Sequence, residues 1–156
     1  MNIRKASSKD ALLLSDLCRD VQTLHAQNHA DIFKMPQSAD FAVSFFDEML
    51  ADPAVSIFIA EDNRGALGYV LCKLVERPEN SFTFAMRFLL VDQISVRPAA
   101  RGHGVGTALM KQAELLAKEL AVPKMQLDSW EFNTKAHSFF ERLGFLKFDH
   151  RFWRDI

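Results

Sequence analysis

The segment Arg101-Gly102-His103-Gly104-Val105-Gly106 has residue types suited to holding an anion. Glycines at every second position let a backbone come close to a ligand and turn its N–H groups outward. A β-rich run, Val91 to Val96, enters the loop through Arg97-Pro98-Ala99-Ala100, and an amphipathic helical pattern leaves it. Unpaired amides at a helix start and the helix macrodipole both favour a phosphate, and Arg101 at the rim would add a bidentate contact. Glycines also serve tight turns that hold nothing, so the loop alone leaves both readings open. Other phosphate loops fit worse. A Walker loop ends in Gly-Lys-Ser/Thr, and Gly106-Thr107 lacks the lysine. A dinucleotide fingerprint follows the first strand of a parallel sheet, whereas this loop follows a run of antiparallel hairpins.

The elements that position the loop follow from periodicity. Residues 2–6 read as a short strand, and Ser7-Ser8-Lys9-Asp10 offers a serine cap with an acid three positions on. Leu13/Leu14, Leu17, Val21 and Leu24 recur at helical spacing up to about His29. Pro36 breaks the chain, and a second helix is predicted from about Ser38 to Asp52-Pro53, with Phe41, Phe45/Phe46 and Met49/Leu50 on one side. Val55 to Glu61 and Leu67 to Cys72 flank the turn Asp62-Asn63-Arg64-Gly65 as a hairpin, and a long strand is predicted from about Phe82 to Val96. Val105, Leu109, Ala113, Leu116 and Leu120 then mark a helix that Pro123 closes. A strand from Lys124 to Trp130 follows. Asn133 caps a short helix to Leu143, Gly144 is placed as its left-handed terminator, and Phe145 to Trp153 reads as a last strand. The order βααβββαβαβ predicts an α+β, or mixed α/β, fold with a central, mostly antiparallel sheet flanked by helices.

Composition narrows the classes of function. A chain of 156 residues suits one compact domain over residues 1–156. A net charge of −1 supplies no field for nucleic acid or an anionic membrane. No apolar run is long enough to span a bilayer and no signal or presequence is visible, so the cytoplasm is the expected location. Cys18 and Cys72 lack metal-ligand spacing and read as buried thiols; no metal is expected. Fourteen phenylalanines against one tyrosine, Tyr69, read as a Phe-rich core.

Two blocks together make the sequence resemble the GCN5-related N-acetyltransferase (GNAT) superfamily over nearly its whole length. The coenzyme A signature Gln/Arg-x-x-Gly-x-Gly/Ala is met by Arg101, Gly104 and Gly106 after the approach Ile94-Ser95-Val96-Arg97-Pro98. The block Asn-x-x-Ala-x-x-Phe-Tyr-x-x-x-Gly-Phe is met by Asn133, Ala136, Phe139, Gly144 and Phe145, with Phe140 where tyrosine usually stands.

The resemblance implies an acyl-coenzyme A N-acyltransferase fold and acetyl transfer from acetyl-coenzyme A to a primary amine of a small molecule or peptide. By similarity, Ile94, Ser95 and Val96 hold the pantetheine arm, with the Ile94 N–H on the acetyl carbonyl where the strand bulges and splays from its neighbour. Arg101, Gly102, His103, Gly104, Val105, Gly106 and Thr107 take the pyrophosphate, and Asn133, Ala136 and Phe139 complete the cofactor side. Asn133 is equally a plain helix cap. A lysine-like amine has a pKa of about 10.4, so a base must take its proton. Asp92 is the candidate, with Glu76 and Glu131 behind it; a salt bridge or solvated carboxylate is the other reading. Phe140 cannot protonate a leaving thiolate, and in a Schellman terminator it would instead touch Phe145.

The resemblance makes His25, Phe33 and Trp130 candidates for the acceptor site, beside His29 and Asp31 where the family's first helices line the cleft; exposed helix-end polarity is the other reading for His25, His29 and Asp31, and ordinary core for Phe33 and Trp130. The tail Phe148 to Trp153 either forms a strand at a homodimer seam or completes the core. Two other readings stand: a non-catalytic acyl-coenzyme A sensor, and an interaction domain whose glycine loop is empty.

Overall fold

The computed structural model describes residues 1–156. Five strands form one sheet in the order β1-β2-β3-β4-β5: β1 (Asn2–Lys5), β2 (Val55–Asp62), β3 (Gly65–Arg77), β4 (Met86–Val96) and β5 (Met125–Leu127). Neighbours are antiparallel except β4 and β5, which run parallel. The helices are α1 (Ala11–Asn28), α2 (Val43–Ala51), α3 (Val105–Glu119) and α4 (Thr134–Arg142).

Alternation along the central strands divides the core in two. Ile57 and Ile59 of β2 and Tyr69 and Leu71 of β3 face α1 and α2, where Leu14, Leu17 and Phe46 meet them. Phe58, Ala60, Val70 and Cys72 face the other way, onto Leu109, Ala113 and Leu116 of α3. The period of two in the strands and the four-residue steps of α3 are thus two views of one packing. Both cysteines are free and buried, and burial pushes the Cys72 thiol up to about 12. No helix is long and apolar enough to cross a membrane.

The cap expected at Ser7 opens a short 3-10 turn, Ser8–Asp10, that leads into α1. The Ser7 N–H donates to the Asp10 carboxylate (2.8 Å), and the Arg4 guanidinium grips both Asp10 oxygens at 2.8 and 2.9 Å. The α4 terminator is a full Schellman motif: Gly144 has φ 88°, its N–H reaches the Glu141 carbonyl, and the Phe145 N–H reaches that of Phe140. The Phe140 and Phe145 rings lie edge to face at 6.0 Å.

Several boundaries differ from the expectation. The second helix starts at Val43, not Ser38, because the Ser38 hydroxyl bonds Asp40 in a local turn and the Ala42 N–H is taken by Ser15 Oγ of α1 (3.0 Å). The long strand starts at Met86, because Asn80 Oδ1 accepts from the Phe82 and Thr83 amides and folds that stretch into a turn. The last strand, expected from Phe145 to Trp153, is absent. No backbone-to-backbone hydrogen bond is made beyond Phe145, since the edge strand β5 is three residues long and offers few rungs to a partner. The tail instead leaves Leu146, Phe148 and Phe152 exposed.

Candidate active site

The site grows from the place where β4 loses its parallel neighbour. Register partners on β5 end at Leu127 opposite Val91, so Asp92 to Val96 run on with an open edge. On the other side, Leu71 pairs Gln93 while Cys72 pairs Val91, which leaves Asp92 as the extra residue of a β-bulge. Beyond the bulge the Arg97 N–H donates to the Leu67 carbonyl at 2.8 Å. Antiparallel alternation then sets Ser95 and Gln93 toward β3 and directs the N–H and C=O of Ile94 and Val96 into the open notch. Gly68 of β3 allows the close approach behind them: a Cβ there would fall 2.4 Å from the Ser95 carbonyl oxygen.

Polar tethers hold this stretch of β4. Ser95 Oγ donates to the Leu17 carbonyl (2.8 Å), Arg97 pairs Asp16 of α1 (2.6 Å), and the fully buried Tyr69 hydroxyl donates to Gln93 Oε1 (2.6 Å). Tyr69 is therefore a core residue, and burial with the neighbouring Cys18 raises its phenol well above the ordinary value.

The glycine loop follows. Gly102 and Gly104 have φ of 78° and 79°, a left-handed backbone that favours glycine, and α3 starts at Val105. None of the N–H groups from Gly102 to Thr107 has a protein partner, so six consecutive amides gather at the positive end of a 15-residue helix. Arg101 turns back and donates from Nε to the Val96 carbonyl at 3.0 Å, leaving its two terminal nitrogens free. The His103 ring folds onto its own loop, with Nδ1–H donating to the Arg101 carbonyl (2.9 Å).

The second block joins the first through Phe139, whose ring covers Gly106 so closely that a Cβ there would lie 3.2 Å from Cζ. Ala136 packs beside it against the same core. Asn133 caps α4 by accepting the Ala136 N–H at 3.3 Å, which leaves its amide nitrogen unused. Phe140 is buried in the core and carries no proton to give.

Of the candidate bases, only Asp92 stands in the notch. Its side chain is open to solvent, yet the surrounding walls push its carboxyl above the ordinary value; Lys73 opposes this and Asp128 adds to it. Glu76 is ion-paired to Arg87 (2.8 Å) at the opposite end of β4, too far along the strand to serve the notch. Glu131 lies exposed in the link before α4.

His25, Phe33 and Trp130 do come together. His25 stacks on Phe33 at 4.8 Å, and Phe33 meets Trp130 edge-on at 5.0 Å. Burial lowers the His25 pKa and favours its neutral ring. His29 joins the group, whereas Asp31 is an exposed residue of the turn after α1. Three residues in this region escape the sequence reading. Phe132 and Trp153 add rings to the cluster, and His137 Nε2–H donates to the Trp130 carbonyl (3.0 Å) to fix the link. An aromatic between Trp130 and the Asn133 cap was the one available signal for Phe132. An open groove of about 560 Å³ runs along the turn after α1, with Phe33 in its wall.

With its amide-lined helix start beside two parting parallel strands, the chain belongs to the acetyltransferase (GNAT) family, whose profile matches residues 20–145. The uncharacterized N-acetyltransferase YhfO of Bacillus subtilis (strain 168) is 25% identical over 145 residues, covering 93% of this chain and 89% of its own. Among solved structures, a tetramutant of the BH1408 protein from Bacillus halodurans superposes over 100% of both chains with a TM-score of 0.94 at 22% identity. A predicted acetyltransferase from Clostridium acetobutylicum, solved with acetyl-CoA, gives a TM-score of 0.72 at 20% identity, over 99% of this chain and 95% of its own. At such identities these likenesses establish the fold.

Proposed function

We propose that the protein transfers an acetyl group from acetyl-coenzyme A to a primary amine of a small molecule or peptide by direct attack on the thioester. The observation that carries this reading is the conjunction of six unpartnered amides at the start of α3 with the open Ile94 and Val96 edge one short turn away. The pyrophosphate would sit on the Gly102–Thr107 amides with the free Arg101 nitrogens at its rim. The pantetheine arm would lie along Ile94 to Val96 as a substitute for the missing strand, with Asn133, Ala136 and Phe139 on its α4 side.

In the reaction the amine forms a C–N bond to the acetyl carbon. The tetrahedral oxyanion is held by the Ile94 N–H, and the C–S bond breaks as the thiolate leaves. Asp92 accepts the amine proton directly or through water, suited to this by its raised pKa. The thiolate takes its proton from solvent, because Phe140 cannot supply one. His25, Phe33 and Trp130 face the acceptor. We place the reaction in the cytoplasm and expect the exposed tail to meet a second copy.

Phe140 also favours a second reading, a sensor that binds acyl-coenzyme A without turnover. Thermal stabilisation by acetyl-coenzyme A should grow with its concentration, reaching about 2.7 kcal/mol at a hundred times Kd. No shift at millimolar ligand overturns both readings. Thiol release with an amine panel then separates enzyme from sensor.

A further inference from the structure

We propose that the ring cluster of His25, His29, Phe33, Trp130, Phe132 and Trp153 is the acceptor's binding face, and that the acceptor is a primary amine joined by a short carbon chain to an aromatic ring. The proposal rests on the acetyl-transfer reading above and names its substrate class.

Three separate segments converge to build this cluster: the end of α1 with its following turn, the link between β5 and α4, and the tail. Trp130 meets Phe33, His29 and Trp153 at centroid distances of 5.0 to 5.8 Å, and Phe132 meets His25 at 5.7 Å. None of the six belongs to either buried core cluster, and none is buried. They fill no interior; they make a partly open apolar face.

Its position fits a substrate. Trp130 lies three residues beyond Leu127, the last partner of Val91, so chain length holds it within about 10 Å of the strand end. Asp92 and Asp128 are the first residues past that last pair, one on each parting strand. An ammonium at the parting point would have this acidic pair beside it, with Lys73 near Asp92 but drawn to Asp52 (3.8 Å), and a short carbon chain would carry its other end toward the rings. The open groove of about 560 Å³ after α1 shares Phe33 with the cluster. Stacked and edge-to-face aromatic contacts are worth about 0.5–1.5 kcal/mol beyond burial. A polyamine or amino sugar has no ring to contribute to them.

Both tryptophans of the chain are in the cluster, so intrinsic fluorescence reports on it without turnover. The full chain would be titrated with 2-phenylethylamine, n-propylamine and spermidine. The expected result is a saturable fluorescence change with 2-phenylethylamine, at a half-point about tenfold below that of n-propylamine. Phe33→Leu should erase that preference and leave stabilisation by acetyl-coenzyme A unchanged. Equal half-points for the two monoamines, tighter spermidine, or no change at all, in a protein that acetyl-coenzyme A still stabilises, overturns the proposal. Loss of that stabilisation in the native chain would overturn the transfer reading instead, and the wild-type titrations would still decide the ring preference should Phe33→Leu fail to fold.

Discussion

Gly68→Ala tests whether the notch depends on how closely β3 and β4 approach. The new Cβ would fall 2.4 Å from the Ser95 carbonyl oxygen and 3.0 Å from Val96 Cα. Both are backbone atoms, so no rotamer relieves the contact. Ordinary packing begins at 3.4 Å, so the strands must part by about 1 Å. The tethers of that stretch, Ser95 to the Leu17 carbonyl and Arg97 to Asp16, resist the movement. Overpacking of this kind costs about 1–3 kcal/mol, and a 1 Å misplacement near the chemistry costs up to about 10²-fold in rate. Urea unfolding gives the first figure; acetyl-coenzyme A titration and turnover give the second. Gly65→Ala is the control: its φ of +129° strains any other residue, but open space surrounds it at the β2–β3 turn. It should lower stability by about 1–3 kcal/mol without weakening acetyl-coenzyme A binding. If Gly68→Ala melts like the parent and binds as tightly, the close approach has no part in shaping the notch.

Asp92→Asn should lower turnover by about 10²–10⁴-fold and remove the acidic limb of the pH–rate profile, with acetyl-coenzyme A stabilisation retained; an unchanged profile would show that another group takes the proton. The same change should raise the unfolding midpoint at neutral pH. A carboxyl whose folded pKa is raised contributes stability below its unfolded value and loses it as pH climbs through the folded one. Asp10 is the opposite case, held near pKa 2 against an ordinary 3.8, chiefly by its hydrogen bonds from Arg4. Asp10→Asn should therefore cost about 2 kcal/mol at neutral pH, and denaturation at graded pH should show the gap closing as pH falls from 3.8 toward 2; a gap constant with pH would contradict the ion pair. Phe140→Tyr should lose about 1–3 kcal/mol by burying an unpaired hydroxyl and leave the rate nearly unchanged, whereas a large rate gain would mean that the thiolate needs an acid.

Legibility in the sequence tracked how local each determinant is. The Ser7-to-Asp10 cap, the α3 stripe and the Gly144 terminator are each set within a few residues, and the structure has all of them. The glycine loop was visible because positive φ limits the residue type. Asp92 was visible only through resemblance. The bulge that isolates it is a register shift between β3 and β4, which no periodicity within one strand displays. Non-local competition explains the other differences. The start of α2 was decided by Ser15 on another helix. The tail from Leu146 alternates like a strand, but a strand needs a ladder, and the three residues of β5 do not provide one.

The two sequence blocks, some 30 residues apart, turn out to be one mechanical unit, and this bears on the missing tyrosine. Phe139 lies over Gly106 at the start of α3, and the neighbouring Phe140 locks α4 into the core against Phe145. The helix that begins at Asn133 therefore braces the open amides at the start of α3. Replacing tyrosine by phenylalanine at 140 leaves that brace intact, because packing and the Schellman contact need only the ring. It removes a proton donor and nothing else. In the proposed reaction the amine proton would then be handled at the other end of the notch, by Asp92 of the bulge. The bulge itself is held by Gln93 under the buried Tyr69 hydroxyl, so the chain's one tyrosine fixes backbone beside the notch from the sheet face that packs on α1 and α2.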